Sequence, residues 1–173
     1  MYSSGVVGRH YMGHVNSVLL AISKTPNLTV FQKTLALNDF YFGDADFPYP
    51  MGHISFVGKL DAVALSAGAP SIVPGMTLDI MAKHSLDFWL TSEDLPDPEN
   101  RVTLDRHGNI VLSYTPNNGE GHRQLTRKLE HLLQHLDMHP HLIPRNLFVG
   151  NRIPLAGVAH QNGTIRFGHD LRT

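Results

Sequence analysis

Leu125, Leu129, Leu132, Leu133 and Leu136 recur at spacings of three and four, the period of an α-helix. The spacing predicts a helix after Asn117-Asn118-Gly119, with one apolar stripe that has to be covered. A partner for it lies just upstream. Arg101 to Leu104 and Ile110 to Tyr114 alternate about Asp105-Arg106-His107-Gly108-Asn109, the pattern of a hairpin with Gly108 in its turn. The expected fold is α+β, with the stripe packed on a sheet made by the preceding strands.

The remaining segments supply those strands. Positions 15 to 23, VNSVLLAIS, fit a buried strand and a buried helix equally, because an unbroken apolar run has no diagnostic period. Leu28 to Leu37 reads as a strand, and Asn38 to Gly43 adds alternating aromatics that read as core. Asp44 to Pro50 is a proline-stiffened loop, and Gly52 to Leu60 a further strand. Between Asp61 and Gly75 small residues, glycines and prolines indicate a short helix and an irregular connection. The second half of Thr77 to Ser92, LDFWLTS, suits a strand with Trp89 half-buried.

At 173 residues the chain holds one domain with a real core, and its 42% hydrophobic and 17% charged content is that of a soluble globular protein. A formal net charge of −1 with scattered Lys and Arg leaves no basic stripe for a phosphate backbone, so nucleic acid is not an expected partner. No apolar run approaches about 18 residues and no signal peptide is visible, so neither a membrane span nor secretion is expected and a cytoplasmic location is the default. The absence of cysteine removes disulfides, thiolate metal sites and a cysteine nucleophile.

Twelve histidines are the compositional oddity. His131, His135, His139 and His141 have spacings that can hold a zinc or nickel ion, but the helical projection puts His131 and His135 on the flank away from the leucine stripe, which reads as a solvated face. No metal site is assigned. His53 reads as a hydrogen-bonding residue before a cavity residue. Glu93-Asp94-Leu95-Pro96-Asp97-Pro98-Glu99-Asn100-Arg101 reads as an acidic loop whose carboxylates are solvated or paired with Arg101.

His160 stands apart. It follows the small, apolar run Ala156 to Ala159 and precedes Gln161-Asn162-Gly163-Thr164-Ile165-Arg166-Phe167-Gly168. On spacing alone this reads as a strand and turn whose histidine satisfies local hydrogen bonds. The other reading is a base near neutral pH, with glycines that let backbone approach a flat ligand.

AHQNGTIRFG resembles the histidine motif of the glucose-methanol-choline (GMC) flavin oxidoreductases, in which Gly-Thr and an Arg-hydrophobic-Gly step follow a His. SSGVVGRHYMGH (3–14), NDFYFG (38–43), YPMGHISFVGKL (49–60) and LTSEDLPDPENRVTL (90–104) resemble the same family in the same order. His10 and Tyr11 replace the family's usual Asn and Leu, so no cofactor-binding residue is carried over.

The resemblance implies FAD-dependent oxidation of the CH–OH group of an alcohol or sugar, with His160 as base. It implies a mostly antiparallel sheet of five or six strands with helices on one face, and three divisions: 1–14 ending a flavin-contacting segment, 15–155 a substrate-binding domain, and 156–173 a truncated segment carrying the catalytic histidine. No Gly-x-Gly-x-x-Gly pattern follows a strand. FAD would be bound mostly by a domain outside this chain, and a second catalytic His or Asn also lies outside it. The chain alone is then inactive, its partners being a small-molecule alcohol and the rest of its parent polypeptide. Two other classes stay open: a non-catalytic interaction fragment, and a histidine-rich metal protein.

Overall fold

The computed structural model describes residues 5–30, 33–66, 73–136, 138–143 and 160–167. Its elements in chain order are β1 (His14–Ile22), β2 (Ala36–Leu37), β3 (His53–Phe56), α1 (Ala62–Ser66), α2 (Gly75–His84), β4 (Ser85–Glu93), β5 (Arg101–Leu104), β6 (Ile110–Ser113), α3 (Gly119–His135) and β7 (His139–Ile143). Among these elements no helix is long and apolar enough to cross a membrane.

Five strands form one sheet in the order β2-β3-β4-β1-β7, and β5 pairs with β6 in a separate two-stranded sheet. The β2–β3, β3–β4, β1–β7 and β5–β6 pairs are antiparallel, with registers such as Ile54 opposite Leu90 and Leu20 opposite His141. The architecture is therefore mixed α+β with antiparallel strands. The ambiguous run VNSVLLAIS is strand β1, and it lies between two strands, so Asn16 through Ala21 are all buried.

The two faces of β1 meet different partners. Leu19 and Ala21 join Met51, Ile54, Phe88 and Leu90 against Leu125, Leu129 and Leu133 of α3. Val18 and Leu20 join Leu65 of α1 and Leu78 and Ala82 of α2. Helices thus cover both faces of the sheet, where the sequence pointed to one. A strand apolar on both sides needs cover on both, and LDIMAKH, read without a helix, forms α2 and supplies it. Each leucine that α3 buries contributes about 1.5–3 kcal/mol by leaving water. The stripe is narrower than its spacing suggested: Leu132 is 39% and Leu136 69% exposed.

Other departures lie at sheet edges. The strand expected over Leu28 to Leu37 shrinks to Ala36–Leu37, and Leu28 and Val30 are each 88% exposed. Propensity without a partner to pair and pack against does not make a strand. Of the aromatics after it, Phe40 packs on the core while Phe42 is exposed. The strand expected from Gly52 to Leu60 is four residues long. The hairpin forms where its alternation placed it, and Trp89 on β4 is partly buried.

The chain divides into two compact units, one gathering 1–15, 93–119 and 158–173, the other 16–92 and 120–157. The second holds both apolar clusters. The first is built from three stretches far apart in sequence: an N-terminal segment, the β5–β6 hairpin and a C-terminal segment.

Candidate functional site

The N-terminal and C-terminal stretches of the first unit are stitched together through their backbones. Met12 N donates to Asn162 O at 3.0 Å and Asn162 N to Met12 O at 3.1 Å, while Gly8 N donates to Thr164 O at 2.8 Å. On the other side of the N-terminal segment, Val102 N donates to Gly8 O at 2.7 Å and Tyr11 N to Asn100 O at 2.8 Å. The segment is thereby held between the hairpin strand β5 and residues 162–164.

Local conformation makes this packing feasible. Gly8 and Gly163 have φ of 88° and 90°, and His10, at φ 60°, is the one non-glycine with positive φ among the described residues. A Cβ on Gly163 would collide with the His10 carbonyl oxygen, and one on Gly8 with the Val102 carbonyl oxygen. Only glycine permits both the conformation and the approach.

His160 is exposed, and its ring meets that of His14 edge-on, with centroids 5.3 Å apart and planes at 90°. The two histidines are thus brought together from opposite ends of the sequence. Residues 156–159 and 168–173 of the same motif segment lie outside the described residues.

Bonded to Gly13, the residue before His14, is a buried carboxylate that the sequence reading took as solvated or paired with Arg101. Asp94 is 4% exposed. Its Oδ2 accepts Gly13 N at 2.9 Å and the Tyr114 hydroxyl, whose ring stands edge-on to Tyr11 at 5.2 Å. Burial, and secondarily the Asp94 charge, hold the Tyr11 hydroxyl above its usual pKa. Among the described residues Tyr11 OH, Asp94 Oδ1 and His10 Nδ1 are buried without a hydrogen-bond partner. The loop's other carboxylates follow expectation better, since Glu99 pairs with Arg101 at 2.9 Å. A carboxylate beside prolines looks solvent-facing in sequence; its burial follows from Gly13 and Tyr114, which only folding delivers.

A groove of about 530 Å³ runs beside this ladder, lined by Val7, Gly8, Val102, Leu104, Ile110 and Ile165 together with two threonines. Ile110, Ile165 and the nearby sequence residue Phe167 are exposed. No charged side chain lines the groove.

The second unit contains a polar relay that the sequence reading passed over. Ser92 Oγ donates to Met51 O at 2.5 Å, so it receives the Nδ1–H of His122 at 2.9 Å. His122 Nε2 is then the acceptor for Ser17 Oγ at 2.9 Å. Ser17 and Ser92 are buried, and the relay satisfies polar groups between β1, β4 and α3. The relevant signal was the odd pair of serines inside two apolar strands.

Of the remaining histidines, the side chains of His139 and His141 lie outside the described ones, and His53, His131 and His135 find local partners. His53 Nδ1 donates to Asn38 Oδ1 at 2.6 Å. His131 and His135 are exposed on α3, ring against ring at 4.5 Å, with His135 Nδ1 bonded to His131 O. Among the described residues no group of three or more His, Asp or Glu is arranged to hold a metal ion.

No protein-family model matches this sequence, and no curated protein matches it.

Proposed function

We propose that this chain is part of an FAD-dependent oxidoreductase of the GMC type, acting on the CH–OH group of an alcohol or sugar, with His160 as the base. The observation that carries the reading is the pairing of the two motifs of the resemblance, 3–14 and 156–168. They are hydrogen-bonded through Met12–Asn162 and Gly8–Thr164, and they put His160 against His14 with its ring open to solvent. An exposed imidazole on a backbone clamped two residues away is what a base acting on an external ligand requires.

The described residues do not make a cradle for a whole dinucleotide. The 530 Å³ groove offers no cation to a pyrophosphate, and Gly8, the glycine that lines it, is filled by the Val102 carbonyl instead of being open to a ligand. What fits is contact with one end of a cofactor held elsewhere, the flavin supplying the hydride acceptor. His160 would take the hydroxyl proton as the C–H bond breaks.

In the longer polypeptide that this reading requires, an alcohol panel should bleach the flavin, and His160→Ala should depress turnover by about 10²–10⁴-fold with flavin retained. Near-normal turnover removes His160, and a longer polypeptide without a flavin spectrum overturns the whole reading. The chain alone should show no saturable FAD binding.

A second reading, a non-catalytic interaction fragment, is favoured by the uncharged groove and by exposed Ile110, Ile165 and Phe167. Dimerisation of the isolated chain that Ile110→Glu abolishes would support it. A monomer at all concentrations would remove self-association.

A further inference from the structure

We propose that His14 is the positioning residue for His160, and that the buried carboxylate of Asp94, by holding the backbone of Gly13, fixes the point from which His14 leaves the chain. The proposal deepens the reading of His160 as a base. A general base has to sit within about 2.6–3.2 Å of the proton it takes, and holding it there demands an orientation good to about 10–20°. An exposed histidine does not meet that demand by itself, because both of its side-chain torsions are free to turn.

The backbone of the loop is fixed by the Met12–Asn162 bridge and by the close approach of Gly163 to His10. The side chain needs something else. Among the described residues the edge-on contact with His14 is the only ring, hydrogen-bond or ion-pair interaction that His160 makes. Such a contact favours one ring orientation without occupying a ring nitrogen in an ion pair.

His14 can do this because it is itself held. It opens strand β1, and its neighbour Gly13 is locked to the acidic loop: Gly13 N donates to Asp94 Oδ2 at 2.9 Å, and Asp94 Oδ2 also accepts the Tyr114 hydroxyl. The sequence Tyr114, Asp94, Gly13, His14, His160 therefore runs from the hairpin to the exposed imidazole, each member touching or bonded to the next. His14 acts on His160 and touches no reacting atom, so its role is one of positioning.

The test uses the full chain and no flavin, so its failure is visible separately from failure of the flavoenzyme reading. In the NMR spectrum of the wild type, His160 and His14 should show an inter-ring nuclear Overhauser effect, and His160 χ1 couplings should report a single rotamer. His14→Ala should return the His160 ring resonances toward free-histidine positions and average its χ1. His14→Phe, which keeps a ring edge without a titratable group, should restore the single rotamer. The amide shifts of Met12 and Asn162 check that the ladder persists in each variant. Absence of the inter-ring effect in the wild type, or a His160 rotamer indifferent to His14→Ala with the ladder intact, overturns the proposal.

Discussion

The two units of this protein are each held together internally, and by different physics. The unit containing residues 16–92 and 120–157 is a sheet buried on both faces, with leucines, a methionine and a phenylalanine removed from water against α1, α2 and α3. The unit containing 1–15, 93–119 and 158–173 has no comparable apolar cluster among its described residues. Its order comes from backbone ladders, glycines at positive φ and buried polar groups such as Asp94 and Asn100. Apolar burial is non-directional and tolerates small shifts, whereas a ladder with a glycine at each close approach fails at a single atom.

Substitutions should separate the two kinds of stability. The largest loss should follow Leu129→Ala, which empties the centre of the α3 contact; about 2–5 kcal/mol is expected. Denaturant melts followed by the lone tryptophan, Trp89, report it directly, and a midpoint that fails to move would place the core elsewhere.

Gly163→Ala should come next, at about 1–3 kcal/mol for the strained φ, with the collision against the His10 carbonyl added. Its signature should be local: faster hydrogen exchange at the Gly8, Met12 and Asn162 amides, with the Trp89 midpoint unchanged. Uniform loss by both probes would show that the contrast between units is not one of stability.

Asp94→Ala leaves the Gly13 amide and the Tyr114 hydroxyl without their acceptor, a cost of about 1–3 kcal/mol. It should quicken exchange at Gly13 and free the His160 ring, whereas Asp94→Asn, which still offers an oxygen, should do less.

Asp87 in the core sets a pH dependence of the opposite sense to ordinary surface carboxylates. Burial raises its carboxyl above the usual 3.8, only partly offset by Ser85, the Leu60 amide and Lys59. The folded state then holds the proton more tightly than the unfolded chain, so this residue's contribution to stability falls as pH climbs from 3.8 into the raised range. Asp87→Asn should flatten that part of the Tm-against-pH curve; an unchanged slope would remove Asp87 as its source.

The smallest effect should come from Arg101→Ala. Its pair with Glu99 is exposed, and such pairs contribute about 0–1 kcal/mol. A larger loss would mean that the hairpin depends on charge as well as on its ladder.

Local periodicity made much of this molecule readable. The α3 stripe, the hairpin about Gly108 and the strand in LDFWLTS follow from spacings inside short windows, and each forms close to where it was expected. Misreadings arose where an element's fate depends on distant partners. Leu28 to Val30 have strand-forming residues but lie exposed outside any strand, and α2 exists because the second face of β1 needs cover. The site divides in the same way. His160 stood out by its neighbours in sequence, while His14 and Asp94 gain their relation to it only through the ladder that joins residues 12 and 162.

The sequence by itself therefore determined the helix, the hairpin, the mixed α+β class and the candidate base, because periodicity, turn chemistry and motif spacing are written in neighbouring residues. Tertiary structure alone decided that β1 is buried on both faces, that Asp94 lies inside, and that His14 and His160 meet. Each of these depends on which remote atom fills the space beside a side chain, and that is settled only when the chain closes on itself.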